Sequence, residues 1–207
     1  MDQSPIDKET LTLSDMMRSW THGVTSSLGL SLYKLGFHPD AITFIGWLMV
    51  LIGAVFIAQG KFLVAAIWLL FALPMDALDG AVARAMQRTS KFGALFDSTL
   101  DRYADGFIFA ALSYYFAVTN RLDMFLFAQM ALIGSLLVSY VRARAEGLGI
   151  DCKVGFFTRM ERLAVILLMF FFPILLHAGV VLLAIGTNIT AMQRIWHVYR
   201  TLNNRGE

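Results

Sequence analysis

Apolar residues run almost unbroken through most of this chain, and the breaks between the runs define its elements. Ala41 to Gly60 carries no charged residue and is long enough for a helix to cross a bilayer. Phe62–Met75, Gly106–Asn120 and Met124–Val141 are also uncharged but shorter. Leu163–Gln193 contains no Asp, Glu, Lys or Arg and is too long for one span, and Pro173, His177 and Gly179 fall mid-run as a turn. It therefore reads as a hairpin of two helices. The short runs each continue, on one side, into helix-compatible stretches with charges: 76–84, 97–105, 159–162 and Arg194. Helices of this kind span the bilayer with one half facing a polar cavity inside the bundle rather than lipid. The pattern predicts an all-α fold: a six-helix transmembrane bundle over 41–200, in one membrane domain covering 1–207.

Residues 11–36 mix Leu11, Met16, Met17, Trp20, Leu28 and Leu32 with Arg18, His22 and Lys34. That mixture suits an N-terminal amphipathic interfacial helix with Trp20 at headgroup depth; a polar-faced cap over the bundle is the equal alternative. Residues 1–10 are polar and read as loose.

Composition agrees with the pattern. Hydrophobic residues make up 57% and charged residues 15%, against about 25% charged in soluble domains. The formal net charge of +2 gives no footprint for nucleic acid. Cys152, the single cysteine, has no partner for an internal disulfide or a thiolate metal site. The acidic residues of the first forty positions and the lack of a cleavage pattern predict that the first apolar run is retained as a span. Of the 17 Lys and Arg, only Lys61 and Arg121 fall on one side of the six-span layout. The positive-inside rule then places both termini and the polar cavity in the cytoplasm, as in a multi-pass protein of a prokaryotic plasma (inner) membrane.

The chemistry is concentrated in 76–101. Asp76, Asp79, Gly80 and Ala83 share one helix face; Gly93, Asp97 and Asp101 follow at steps of four on the next helix. Residues 86–92 form the short turn that makes the two helices antiparallel neighbours. A single Asp on a helix is usually a solvated residue, and Gly or Ala on a membrane helix usually serves packing. Four acids converging near hydrocarbon repel unless a cation lies between them, and hard divalent ions with oxygen ligands, Mg²⁺ or Mn²⁺, are the natural partners. Two such ions suit displacement at phosphorus. Gly80 and Ala83 clear space for a bulky ligand, and Arg84 is placed to grip a phosphate.

These eight positions match D-x2-D-G-x2-A-R-x8-G-x3-D-x3-D, and by them the chain resembles the CDP-alcohol phosphatidyltransferases. The resemblance implies binding of CDP-diacylglycerol through its pyrophosphate by two metal ions. It implies Asp76, Asp79, Asp97 and Asp101 as ligands, with Asp101 also the general base, and Gly80, Ala83, Arg84 and Gly93 as the walls of the CDP site. It further implies a homodimer. His38-Pro39-Asp40-Ala41-Ile42-Thr43 looks like the family's Pro-Asn-x-x-Thr opening of the first span, with Asp40 in place of Asn.

Arg142, Arg159 and Arg194 stand at the edges of three apolar runs. Facing one cavity, they make a site for an anionic acceptor such as a sugar phosphate; otherwise they are positive-inside charge. Ser139-Tyr140-x-x-Ala143-Arg144-Ala145-Glu146, the Glu161-Arg162 element, Gln193-Arg194 and Asp101-Arg102-x-x-Asp105-Gly106 resemble the phosphatidylinositol phosphate synthases. Thr158 departs from that pattern, standing where the first Glu of a paired element would be. The resemblance implies that the three arginines hold the phosphate of inositol 1-phosphate. Glycerol 3-phosphate, the acceptor of a phosphatidylglycerophosphate synthase, is the alternative. A divalent-cation transporter, from another class, requires polar groups across the outer halves of the helices, and these are almost wholly apolar.

Overall fold

The computed structural model describes residues 31, 36, 38–85 and 91–206; of these, the side chains at 73, 74, 76, 77, 79, 80 and 83–85 lie outside the description. The surface helix expected over 11–36 falls, apart from Ser31 and Gly36, outside the described residues.

Helix α1, Pro39–Ala58, begins where sequence chemistry favours a start. Pro39 occupies the first turn, where its missing N–H costs nothing. His38 Nδ1 accepts the backbone N–H of Asp40 at 3.4 Å, and the Asp40 carboxylate sits at the positive end of the helix dipole. Gly60, at φ 73°, supplies the left-handed residue that turns the chain at once into α2, Phe62–Ala85. Helix α3 covers Lys91–Val118, so that the turn expected over 86–92 gives way to helix at Lys91. Helix α4 covers Leu122–Gly147, α5 Arg159–Phe171 and α6 Leu176–Arg205.

The break between α5 and α6 lies earlier than its expected centre. A single 3₁₀ turn at Pro173–Leu175 separates the helices, and His177 and Gly179 belong to α6. Proline cannot donate the hydrogen bond that would continue α5, so Pro173 alone sets the break. The hairpin is also unequal: α5 has 13 residues and α6 has 30. At about 1.5 Å per residue α5 is only about 20 Å long. The extended segment 150–158 leads into it from α4.

Neighbouring helices close into a ring in the order α1, α3, α4, α6, α5, α2 and back to α1. One apolar core runs through all six, with Ile57, Ala65, Phe109, Leu112, Ala128, Phe170, Leu183 and Ala184 fully buried. Polar bonds tie neighbours together. Trp68 Nε1 donates to Met49 O at 2.7 Å, Gln129 Nε2 to Ser113 Oγ at 2.8 Å and Asn188 Nδ2 to Met130 O at 3.0 Å. Gly134 lets α4 approach α6 so closely that a Cβ there would collide with Thr187, the small-residue contact typical of helices in lipid.

Outward, the surface is apolar. Phe71, Leu126, Ile133, Ile174 and Ile185 are all exposed, an arrangement water penalises and hydrocarbon does not. Helices α1 and α4, and α6 with its preceding turn, are long and apolar enough to cross a membrane.

Candidate functional site

The register of α3 organises the site. Asp97, Asp101 and Asp105 follow one another at steps of four, which stacks them on one slowly drifting helix face. Asp97 is half-buried, the Asp101 side chain is 16% exposed, and Asp105 is buried. Opposite them, α5 opens at Thr158, whose hydroxyl pairs with Glu161 across the first turn. That start points Arg159 and Arg162, three residues apart on the same face, at the acids of α3. Arg159 Nη2 lies 2.6 Å from Asp101 Oδ1, and Arg162 Nη2 donates to Asp105 Oδ2 at 2.6 Å. Arg102 Nη1 stands 3.7 Å from Asp101 Oδ2.

A cavity of about 190 Å³ opens beside these pairs. Arg142, Arg159 and Arg194, from α4, α5 and α6, all line it. Their present engagements differ. Arg142 pairs with Glu146 at 2.8 Å near the mouth, and both are about half exposed. Arg194 is buried and bonds two backbone carbonyls, Val154 O through Nε at 2.9 Å and Val138 O through Nη1 at 2.6 Å. Arg102, Asp105, Ser139, Thr158 and Arg162 line the same cavity without having been singled out by spacing. The signal for two of them is present in the sequence: Asp105 continues the four-residue register of the acids, and Arg162 falls one turn after Arg159.

A second cavity, of about 40 Å³, lies on the other side of Asp101. Its walls are mostly apolar, from Trp47 and Val50 on α1, Leu69 and Ala72 on α2, and Leu163, Ile166 and Leu167 on α5. Asp101, Asp105 and Arg159 line both cavities. The half-buried carboxylate of Asp101 thus stands between an apolar space and an arginine-rich one.

The extended segment before α5 is held at this depth by side chains. Phe157 N donates to Thr190 Oγ1 at 3.0 Å, Val154 O accepts from Arg194, and His197 Nε2 lies 3.1 Å from Asp151 O. Irregular backbone persists within a membrane bundle only when its polar groups are satisfied in this way. Cys152, within this segment, is fully buried with Ala145 and Ile150, and that burial pushes its thiol pKa up. Asp151 is exposed, and its hydrogen bond from Lys153 holds its carboxyl below the usual carboxylate range.

Asp76, Asp79, Gly80, Ala83 and Arg84 lie on the last turns of α2, with side chains outside the described residues, and Gly93 lies in the first turn of α3. Among the described residues no three His, Cys, Asp or Glu side chains gather as a metal cage. The described half of the acidic set is Asp97 and Asp101. Its chemistry fits a hard divalent cation: the donors are carboxylate oxygens, and Asp101 already draws two guanidinium groups to itself.

A sequence model of CDP-alcohol phosphatidyltransferases matches residues 37–193 of this chain. Archaetidylinositol phosphate synthase of Methanothermobacter thermautotrophicus is 36% identical over 174 residues, which cover 82% of this chain and 87% of that one. Phosphatidylinositol phosphate synthase of Mycobacterium tuberculosis is 33% identical over 186 residues, covering 85% and 86%. Its crystal structure with CDP-DAG bound superposes with a TM-score of 0.81 at 32% identity, over 85% of this chain and 94% of that one. The structure of the same protein in complex with manganese and citrate gives 0.79 at 32% identity, over 84% and 88%.

Proposed function

The chain belongs to the CDP-alcohol phosphatidyltransferase family, and we propose that it transfers the phosphatidyl group of CDP-diacylglycerol to inositol 1-phosphate, releasing CMP and forming phosphatidylinositol phosphate. One observation carries this reading: Asp101 lines both an apolar cavity and an arginine-rich cavity. A lipid donor and an anionic, water-soluble acceptor need opposite surroundings, and the reaction has to happen where the two meet.

Asp76, Asp79, Asp97 and Asp101 would hold two divalent ions, Mg²⁺ or Mn²⁺. When bound, such ions neutralise the pyrophosphate oxygens and the departing CMP. Gly80, Ala83 and Gly93 leave room for the nucleotide beside the helices, and Arg84 takes a phosphate oxygen. The acyl chains leave sideways between helices into the lipid.

Arg142, Arg159 and Arg194 take the acceptor's phosphate. Guanidinium groups suit this task because their planar fork bonds phosphate oxygens in pairs. Held there, the acceptor presents a hydroxyl to Asp101, which takes its proton as a positioned base. The hydroxyl oxygen bonds to the phosphorus that carries diacylglycerol, and the bond from that phosphorus to the CMP oxygen breaks. Arg159, now against Asp101, is placed to serve both the base and the acceptor phosphate.

All six helices span the membrane in this reading, with both termini and the arginine-rich cavity on the cytoplasmic side, and two copies form a homodimer. Inositol 1-phosphate is preferred to other acceptors because the 33–36% identical relatives named above are an archaetidylinositol phosphate synthase and a phosphatidylinositol phosphate synthase.

The test is CMP release by purified protein with CDP-diacylglycerol and Mg²⁺ or Mn²⁺. Inositol 1-phosphate, glycerol 3-phosphate, free inositol and serine are compared as acceptors. Release with inositol 1-phosphate alone is the expected result. Release with glycerol 3-phosphate alone replaces the acceptor and keeps the reaction; release with none of the four removes the reading.

A further inference from the structure

Below the Asp101–Arg159 pair lies a second ion pair that the proposed reaction does not use. Arg162 is 2% exposed and is the largest fully buried side chain of the described residues; Asp105 is 5% exposed. Their 2.6 Å bond joins α5 to α3, two helices that are not neighbours in the ring. Arg162 Nη1 also reaches Phe157 O at 3.5 Å, in the extended segment just before α5. Its Nε is buried without a hydrogen-bond partner among the described residues, so the side chain is not held there by saturated bonding.

A buried ion pair is weak evidence for stability. Desolvating two charges cancels most of their attraction, and apolar residues of similar volume often do as well or better. The position of this pair explains it better than stability does. Asp105 is one turn from Asp101 on α3, and Arg162 is one turn from Arg159 on α5, so the two ion pairs stack as rungs between the same helices. The deeper rung fixes the rotation and depth of α5 against α3. That setting decides where the Arg159 guanidinium stands relative to Asp101 and to the cavity. Asp105 also places a negative charge among Arg142, Arg159, Arg162 and Arg194, which face one space and would otherwise repel.

We propose that Asp105 and Arg162 are a positioning pair for the anionic acceptor: their buried ion pair sets α5 so that Arg159 meets the acceptor phosphate beside Asp101. The inference rests on the reading of the arginine-rich cavity as an acceptor site. It concerns phosphate placement, not contact between Arg162 and the reacting atoms.

The experiment separates placement from stability. The full chain is purified in detergent as wild type, as Asp105→Asn, and as the double variant Asp105→Leu with Arg162→Met, which removes both charges at once. Thermal unfolding, binding of inositol 1-phosphate and of inorganic phosphate by calorimetry, and the KM for each substrate are measured. The double variant is expected to unfold no earlier than wild type. It is nevertheless expected to bind both phosphate anions at least about tenfold more weakly, the penalty of a displaced guanidinium, with a smaller change in the KM for CDP-diacylglycerol. Wild-type anion binding in a stable double variant overturns the inference, as does an equal loss of affinity for both substrates. Should the double variant not fold, Asp105→Asn, which keeps the side-chain volume, carries the same comparison. A wild-type protein that binds neither anion removes the acceptor reading itself, and the positioning role with it.

Discussion

The carboxylate of Asp101 is held 2.6 Å from the guanidinium of Arg159, and both residues line the two cavities that meet at α3. A proposed base and a proposed phosphate ligand are therefore one contact, formed between helices far apart in sequence. In the proposed reaction the contact ties acceptor binding to the reacting carboxylate, and several measurable consequences follow from it and from the elements around it.

Asp101→Asn keeps the size of the side chain and removes its charge and its basicity. CMP release with the acceptor present should fall by about 10²–10⁴-fold, the range for loss of a positioned base, with a further loss if a metal ligand goes too. Single-turnover CMP release measures the effect. Activity within a few-fold of wild type would remove Asp101 from the chemistry.

Arg159→Lys keeps the positive charge and loses the planar fork. The KM for inositol 1-phosphate should rise about tenfold, equivalent to about 1.4 kcal/mol, and the KM for CDP-diacylglycerol should change less. Steady-state kinetics with each substrate varied in turn resolve the two. An equal rise in both would place Arg159 in a general structural role.

Removal of divalent ions with EDTA should abolish CMP release, and added Mg²⁺ or Mn²⁺ should restore it. The proposed donor set is carboxylate oxygen throughout, which favours hard ions of this kind. Persistent turnover in excess chelator would contradict the assignment of Asp76, Asp79, Asp97 and Asp101.

Arg194→Met leaves the carbonyls of Val138 and Val154 without their buried donor. Bonds to a charged group contribute about 1.5–3 kcal/mol each, so unfolding in detergent should come several degrees earlier. Hydrogen exchange should quicken first in 150–158, the segment that Arg194 ties to α6. Unchanged exchange there would mean that the segment is held by Thr190 and His197 alone.

Cys152 has no exposed surface, and burial pushes its thiol away from the reactive thiolate. Maleimide should label it slowly in the folded protein and quickly once the protein is unfolded, as mass spectrometry of the intact chain will record. Rapid labelling of the folded protein would show that 150–158 opens readily.

Much of this protein was legible along the chain because its signals are local. Apolar runs report helices, since a chain in hydrocarbon must satisfy its backbone bonds internally, and the all-helical bundle has the elements those runs predict. Pro173 marked the last break, although the helix resumes by Leu176 rather than after Gly179. The steps of four from Asp97 to Asp101 revealed a shared face because helical periodicity is a property of neighbours in sequence. Other features depend on how helices rotate and pack, which no local spacing encodes. The meeting of Arg142, Arg159 and Arg194 at one cavity, the use of Arg194 to hold backbone carbonyls, and the stacking of Asp105–Arg162 beneath Asp101–Arg159 all join residues 17 to 58 positions apart. The sequence by itself determined which residues could do the chemistry and on which helical faces they lie. The tertiary structure alone decided which of them meet, because contact between helices depends on side-chain packing around the whole ring.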